Sequence, residues 1–140
     1  MHLPEARYTD RWAFVIVHGA SDAAISIEVQ DGTTTALDLF NNLLTDSTTC
    51  GIALAVGEGV GSLTLTADSN GLFANAGGNY CGVDPGANDV LADPLYVDAP
   101  NGDLHPGPGS PMIDAGNNTA PELPATDADG DASGRLQRRL

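Results

Sequence analysis

Short bursts of alternating apolar residues recur along the first hundred positions of this 140-residue chain, and that recurrence limits the fold more than any other feature. The bursts are Val15-Ile16-Val17, Ile25-Ser26-Ile27-Glu28-Val29, Leu37-Asp38-Leu39, Ile52-Ala53-Leu54-Ala55-Val56, Leu63-Thr64-Leu65 and Leu95-Tyr96-Val97. Alternation at period two makes a strand with one apolar face. Gly, Asp, Asn, Ser or Thr bound each burst, and these residues turn a chain readily. No stretch carries a sustained helical period; the nearest, Thr35 to Thr45, is interrupted by Asn41-Asn42.

The bursts also recur at longer range. Val15/Val17 to Leu37/Leu39 is an offset of 22, Leu37/Leu39 to Leu63/Leu65 of 26, and Ile25/Ile27/Val29 to Ile52/Leu54/Val56 of 27. Asparagines keep the same rhythm, with Asn41-Asn42 after one burst and Asn70 and Asn75 after the next. A repeat of this length cannot bury its own apolar face and must stack on its neighbours. Strand-only repeats point to a parallel β-helix, in which like residues lie over one another at about 4.8 Å. An antiparallel sandwich also spaces its strands at 8 to 12 residues, but the paired offsets and corner asparagines favour the helix. The expected fold is therefore all-β: a right-handed parallel β-helix of about three to four coils with an irregular C-terminal closing segment. Leu37, Leu39, Ile52, Leu54, Val56, Leu63 and Leu65 are expected to face inward. Residues 1–98 read as coils, 76–89 as a projecting Gly/Asn/Asp loop, 99–117 as a closing coil, and 118–140 as a polar tail.

Charge narrows the function. Lys+Arg number 5 against 19 Asp+Glu, for a net charge of -14, and there is no lysine. Nucleic-acid binding draws on Lys and Arg at phosphates, and anionic membrane surfaces select the same residues; neither partner suits this chain. The longest apolar stretch, Trp12 to Val17, is far too short to span a bilayer. Cys50 and Cys81 show no metal-type spacing; they either pair in an oxidising compartment or sit as small buried residues.

From Asp93 the sequence resembles a known family. Asp93-Pro94-Leu95-Tyr96-Val97-Asp98, then Asn101-Gly102-Asp103-Leu104-His105, then Gly109-Ser110-Pro111-Met112-Ile113-Asp114-Ala115-Gly116-Asn117 is similar to the C-terminal end of secreted bacterial right-handed parallel β-helix proteins, the pectin-lyase-like group. Thr126-Asp127-Ala128-Asp129-Gly130-Asp131 resembles the segment that follows there. Leu37-Asp38-Leu39-Phe40-Asn41-Asn42 and Leu63-Thr64-Leu65-Thr66-Ala67-Asp68-Ser69-Asn70 resemble the family's repeat. This chain departs from the pattern at its end, where Leu136-Gln137-Arg138-Arg139-Leu140 stands in place of the usual last strand. The resemblance implies a C-terminal portion of a longer β-helix, secreted or on the cell surface, with the export signal outside this chain. In the closing run, Pro111 ends strand pairing, Ile113 can still point inward, Asp114 can bond nearby backbone N–H groups, and Gly116 permits the positive φ of a sharp turn. Ser110 and Asp114 read as structural, and no spacing singles out His105 as their partner.

Two functional classes stand against each other. The first is an enzyme on polysaccharides, since β-helices of the resembling group include lyases and glycoside hydrolases. A hydrolase needs two carboxylates about 5 to 9.5 Å apart. On the outward faces Glu28 is expected to stack on Ala55 and Asp38 on Thr64, so neither stack makes a pair. A lyase needs a base and cations, and no Arg lies between residues 12 and 134. No catalytic residue is therefore assigned. The second class is a structural or carbohydrate-associated module, with polysaccharide as its partner and the polar corners and Tyr80 loop as its contacts. A catalytic site, on this view, belongs to coils upstream of the chain. For metal, Asp127, Asp129 and Asp131 offer hard oxygens suited to Ca²⁺; an EF-hand is excluded because Gly130 is fourth and no Glu follows. The alternative is a solvated acidic turn.

Overall fold

The computed structural model describes residues 6–13, 15–29, 32–56, 61–117 and 119, with 6–13, 33 and 56 described through their backbone alone. The described chain is all-β, and its one helical segment is a 3-10 turn at Ala99–Asn101. No helix among the described residues is long and apolar enough to cross a membrane.

Nine strands form three parallel sheets that the chain visits in rotation. β1 (Ala6–Ala13), β2 (Ile16–His18) and β3 (Ile25–Val29) make the first rung. β4 (Thr33–Phe40), β5 (Leu43–Thr45) and β6 (Cys50–Val56) make the second, and β7 (Ser62–Asp68), β8 (Gly71–Phe73) and β9 (Gly78–Cys81) the third. The sheets run β1-β4-β7, β2-β5-β8 and β3-β6-β9. The offset is 27 from first rung to second (Ala6↔Thr33, Ile16↔Leu43, Ile25↔Ile52). It is 28 from second to third (Thr34↔Ser62, Leu43↔Gly71, Cys50↔Gly78).

This even register corrects two sequence-based offsets. The partner of Ile16–His18 is Leu43–Thr45, a burst hidden beside the interrupted Thr35–Thr45 stretch, not Leu37/Leu39. Leu37 lies beside Leu65 and Leu39 beside Ala67, two positions further on than expected. The strand that does pair with β4 in the first rung is β1, whose Arg7, Asp10 and Arg11 mask it in a hydrophobicity pattern.

Inside the rungs, like residues stack in columns. Val17, Leu44 and Leu72 form one, and Ile25, Ile52 and Tyr80 another. Ile25, Ile27, Leu37, Leu39, Leu44, Ile52 and Leu72 are the buried core. Full burial of such a side chain contributes about 1.5–3 kcal/mol. Of the residues expected inward, Leu37, Leu39 and Ile52 are buried, while Leu54, Leu63 and Leu65 are half-buried. The side chain of Val56 lies outside the described residues. Leu54 loses its cover because β9 stops at Cys81, opposite Ala53, and Gly82 turns the chain away with φ 77°. The last rung has only a loop across its end.

The corners repeat as well. Gly19, Asp46 and Ala74 occupy one corner in successive rungs and all are left-handed (φ 71°, 56° and 58°). Asn41 and Ser69 repeat a second left-handed corner (φ 60° and 57°). Asn, Asp and Gly tolerate this region best, which is why they gather there.

The segment after Val90 overturns the expected closing coil. β10 (Tyr96–Asp98) and β11 (Asp103–Pro106) form an antiparallel hairpin, and residues 93–117 run back as a strap over the outer face of the β2-β5-β8 sheet. Met112 is fully buried there. A Cβ on Gly71 would stand 2.7 Å from Met112 Sδ and 2.8 Å from Leu43 Cδ1, so the strap fits closely over glycine. Ile113, expected inward, is 36% exposed, and its neighbour Met112 takes the buried place. The positive φ of this run belongs to Asp114 (60°), with Gly109 (81°) upstream, and not to Gly116. Part of the expected projecting loop is also regular: residues 78–81 are β9, and only 82–89 cross the end of the stack.

Candidate functional site

Polar groups converge at three places: a corner column, a seam under the strap, and the outward sheet faces. In the corner column, Asn42 Oδ1 accepts the Val15 N–H at 3.1 Å, and Asn70 Oδ1 accepts the Asn42 N–H at 3.0 Å. Asp89 Oδ1 then accepts the Asn70 N–H at 2.9 Å. The Asn70 amide also donates to the Leu39 carbonyl at 2.9 Å. Both asparagines are fully buried, so these bonds satisfy backbone groups that would otherwise be costly inside the fold. A shorter column does the same at the next corner, where Asn75 Oδ1 accepts the Ser47 N–H at 3.1 Å and Asn75 Nδ2 donates to the Leu44 carbonyl at 3.0 Å.

Asp89 accepts two further hydrogen bonds. Its Oδ2 accepts the Tyr80 hydroxyl and the Gly86 N–H at 2.9 Å. Burial, the bond to Asp89 and that carboxylate's charge push the Tyr80 hydroxyl well above its ordinary range. Tyr80 was expected in a projecting loop as a sugar contact; instead it is in β9, packed on the core with its hydroxyl engaged. Nearby, partial burial raises the Asp68 carboxyl, but hydrogen bonds from Asn88 and the Ser69 backbone outweigh this and hold it below its ordinary value. Asn88 contributes two of those bonds, each at 2.8 Å.

Under the strap, His18 Nδ1 lies 3.0 Å from Thr45 Oγ1 and 3.1 Å from Asp46 Oδ2. Thr45 Oγ1 is 2.9 Å from the Tyr96 hydroxyl, and the Tyr96 ring meets His18 edge-on at 5.4 Å. Hydroxyl, imidazole and carboxylate are the members of a nucleophilic triad, but a triad needs the carboxylate on one ring nitrogen and the hydroxyl on the other. Here both sit at Nδ1, and Thr45 is fully buried. The cluster fastens the strap. Its burial raises the Tyr96 hydroxyl to about 12, the Thr45 bond opposing and the charges of Asp46 and Asp93 assisting. Sequence reasoning missed this seam, since an offset of 22 for the Val15/Val17 burst sets it against Leu37/Leu39, whereas the true 27-residue register brings His18 to Thr45.

The residues weighed for catalysis are scattered. Ser110 is buried and its Oγ accepts the Met112 N–H at 3.1 Å. His105 Nδ1 is on its neighbour Asp103 at 2.6 Å and exposed, and Asp114 is an exposed turn residue. On the outward faces, Glu28 stands beside Ala55 as expected. Asp38 stands beside Thr66, not Thr64, and again not beside a carboxylate. Ser62, Thr64 and Thr66 give β7 an exposed row of hydroxyls. Asp127, Asp129 and Asp131 lie outside the described residues; among those described, no three His, Cys, Asp or Glu side chains gather as metal ligands.

Cys50 and Cys81 form a disulfide, with Cα atoms 6.1 Å apart. It joins β6 to β9 at the foot of the 82–89 crossing.

A family described as disaggregatase related matches residues 16–117, from β2 of the first rung to the last strap residue bonded to Asn41. The chain belongs to it. It is a β-helix-like family, in keeping with the parallel sheets visited in rotation. No curated protein and no solved structure matches the chain.

Proposed function

We propose that this chain is a stretch of right-handed parallel β-helix serving as a structural, carbohydrate-associated module of a secreted or cell-surface protein, without catalysis of its own. The observation that carries the reading is the pairing on the outward faces: Glu28 beside Ala55 and Asp38 beside Thr66. Neither pair offers the two carboxylates of a glycosidase. Asp68 is held below the ordinary carboxyl range, opposite to the shift a general acid needs. The exposed hydroxyls of Ser62, Thr64 and Thr66 form a flat polar row suited to a glycan. The disulfide suits an oxidising compartment.

A second reading has its own support. β1 is the outermost strand of its sheet, so further rungs can stack on it, and a polysaccharide lyase or glycoside hydrolase site would lie there. The test is to incubate the chain with pectate, alginate and neutral glycans, following co-sedimentation, unsaturated-product absorbance and reducing ends. Retention without turnover is expected. Turnover by this chain overturns the reading, and absence of any retention removes its carbohydrate part. Calcium at Asp127, Asp129 and Asp131 belongs to the same proposal: millimolar Ca²⁺ raises the melting temperature relative to chelator, and no shift leaves a solvated acidic turn.

A further inference from the structure

The two ends of the stack differ in how their outermost strands are protected. Native edge strands are usually blunted by charge, proline or a bulge, because a bare edge templates pairing with another chain. β1, at one end of its sheet, carries Arg7, Asp10 and Arg11. β7, at the other end, carries no charge and no proline from Ser62 to Ala67. In a chain of net charge -14, residues 59–67 form an uncharged run. Along this run no like charge on one strand opposes the same strand of a second copy.

The edge also borders an open cleft. Among the described residues no strand pairs with the outer side of β7. Gly86 packs on the Ala67 carbonyl and Asp68, covering that end and leaving Ser62–Thr66 open. Leu63 and Leu65, half-buried, line a cleft of about 480 Å³ with Val29, Leu54 and Val83, and the exposed Asp84 lines it too.

We propose that β7 is a self-pairing edge, and that two copies of the chain associate by antiparallel β7–β7 contact about a two-fold axis at Thr64. Antiparallel pairing centred there sets Leu63 against Leu65 of the second copy, over both clefts. It sets Ser62 against Thr66 of the second copy, hydroxyl against hydroxyl. Leucine meets leucine and hydroxyl meets hydroxyl, and no charged residue lies within the paired Ser62–Thr66 segment, as an isologous contact requires. A strand pair with one shared cleft sits at the small end of interfaces, below about 1,200 Å², so the dimer dissociates readily.

The test is sedimentation equilibrium of the chain from about 10 µM to about 1 mM, a range that covers weak association. A monomer–dimer equilibrium is expected, with amide exchange at Ser62–Thr66 slowing as concentration rises. Thr64 is exposed, so Thr64→Lys and Thr64→Asp should each keep the wild-type circular dichroism and be monomeric. Mixed in equal amounts, they should recover the dimer, since opposite charges then face each other. A wild-type monomer throughout the range, a dimer that survives Thr64→Lys, or a mixture that stays monomeric overturns the proposal. Should a Thr64 variant fail to fold, unchanged exchange at Ser62–Thr66 across the wild-type series overturns it equally.

Discussion

Asp89 stands to Asn70 as Asn70 stands to Asn42: in each case a side-chain oxygen of the later residue accepts the backbone N–H of the earlier one, at 2.9 and 3.0 Å. The column therefore ends in a carboxylate, which suits the further donors it meets, the Tyr80 hydroxyl and the Gly86 N–H. Asp89→Ala strands several of these groups and should cost roughly 1.5–3 kcal/mol, the range for hydrogen bonds to a charged group. Asp89→Asn keeps one acceptor oxygen and should cost less. Urea denaturation of both variants checks the order; equal costs would mean that charge, not the column, matters.

Alkaline pH should loosen the strap. The Tyr96 hydroxyl is raised to about 12, chiefly by burial, so the folded chain holds its proton where the unfolded chain, near 10, releases it. The stability this group adds is complete below pH 10 and is lost as pH rises toward 12. Tyr80 acts in the same direction. Phenolate absorbance should rise together with unfolding, and Tyr96→Phe should flatten the alkaline decline.

At the acid end the sign reverses. Asp68 has a folded pKa below its ordinary 3.8, so its contribution is present above that value and disappears as pH falls through the folded one. Asp68→Asn should be less stable than wild type at pH 6, and the two should converge as pH falls through the folded value. Thermal melts across that range read the difference directly.

Reducing the Cys50–Cys81 bridge releases a loop closed over a sequence separation of 31. Loop-closure entropy puts the loss at about 3–4 kcal/mol. Melting with and without reductant measures it, and the paired Cys50→Ser, Cys81→Ser variant should behave as the reduced protein does.

Met112→Ala empties a fully buried site between Gly71 and Leu43 and should cost about 2–5 kcal/mol. Amide exchange should quicken first across residues 93–117, since that segment loses its anchor.

Alternation and repeat were enough to find the parallel rungs, the all-β class and most inward residues, because Ile25, Ile27 and Ile52, Leu54 recur at the true 27-residue period. Three things were not legible. β1 pairs through its backbone, and a strand reading Ala-Arg-Tyr-Thr-Asp-Arg-Trp-Ala has no apolar alternation to betray it. Asp89 follows Asn70 by 19 residues rather than 28, because the 82–89 crossing takes a shorter path than a full rung, so no period reaches it. The strap uses a Pro- and Gly-rich run that reads equally well as a last coil or a returning arm. Contacts such as Met112 on Gly71 and Tyr96 on Thr45 decide between them. The neighbour of Glu28, Ala55, is legible at the 27-residue period, while that of Asp38 is Thr66, two residues beyond the expected Thr64.

In a stack of repeats each rung touches only its neighbours, so such proteins are free to unravel from one end, rung by rung. The strap removes that freedom. Tyr96 holds His18 in the first rung and Thr45 in the second, Asn117 and Asn41 exchange two hydrogen bonds, and Met112 rests on Gly71 in the third. No rung can leave without breaking a contact that also serves the others. The three rungs should therefore melt as a single cooperative unit, with calorimetric and van't Hoff enthalpies in agreement.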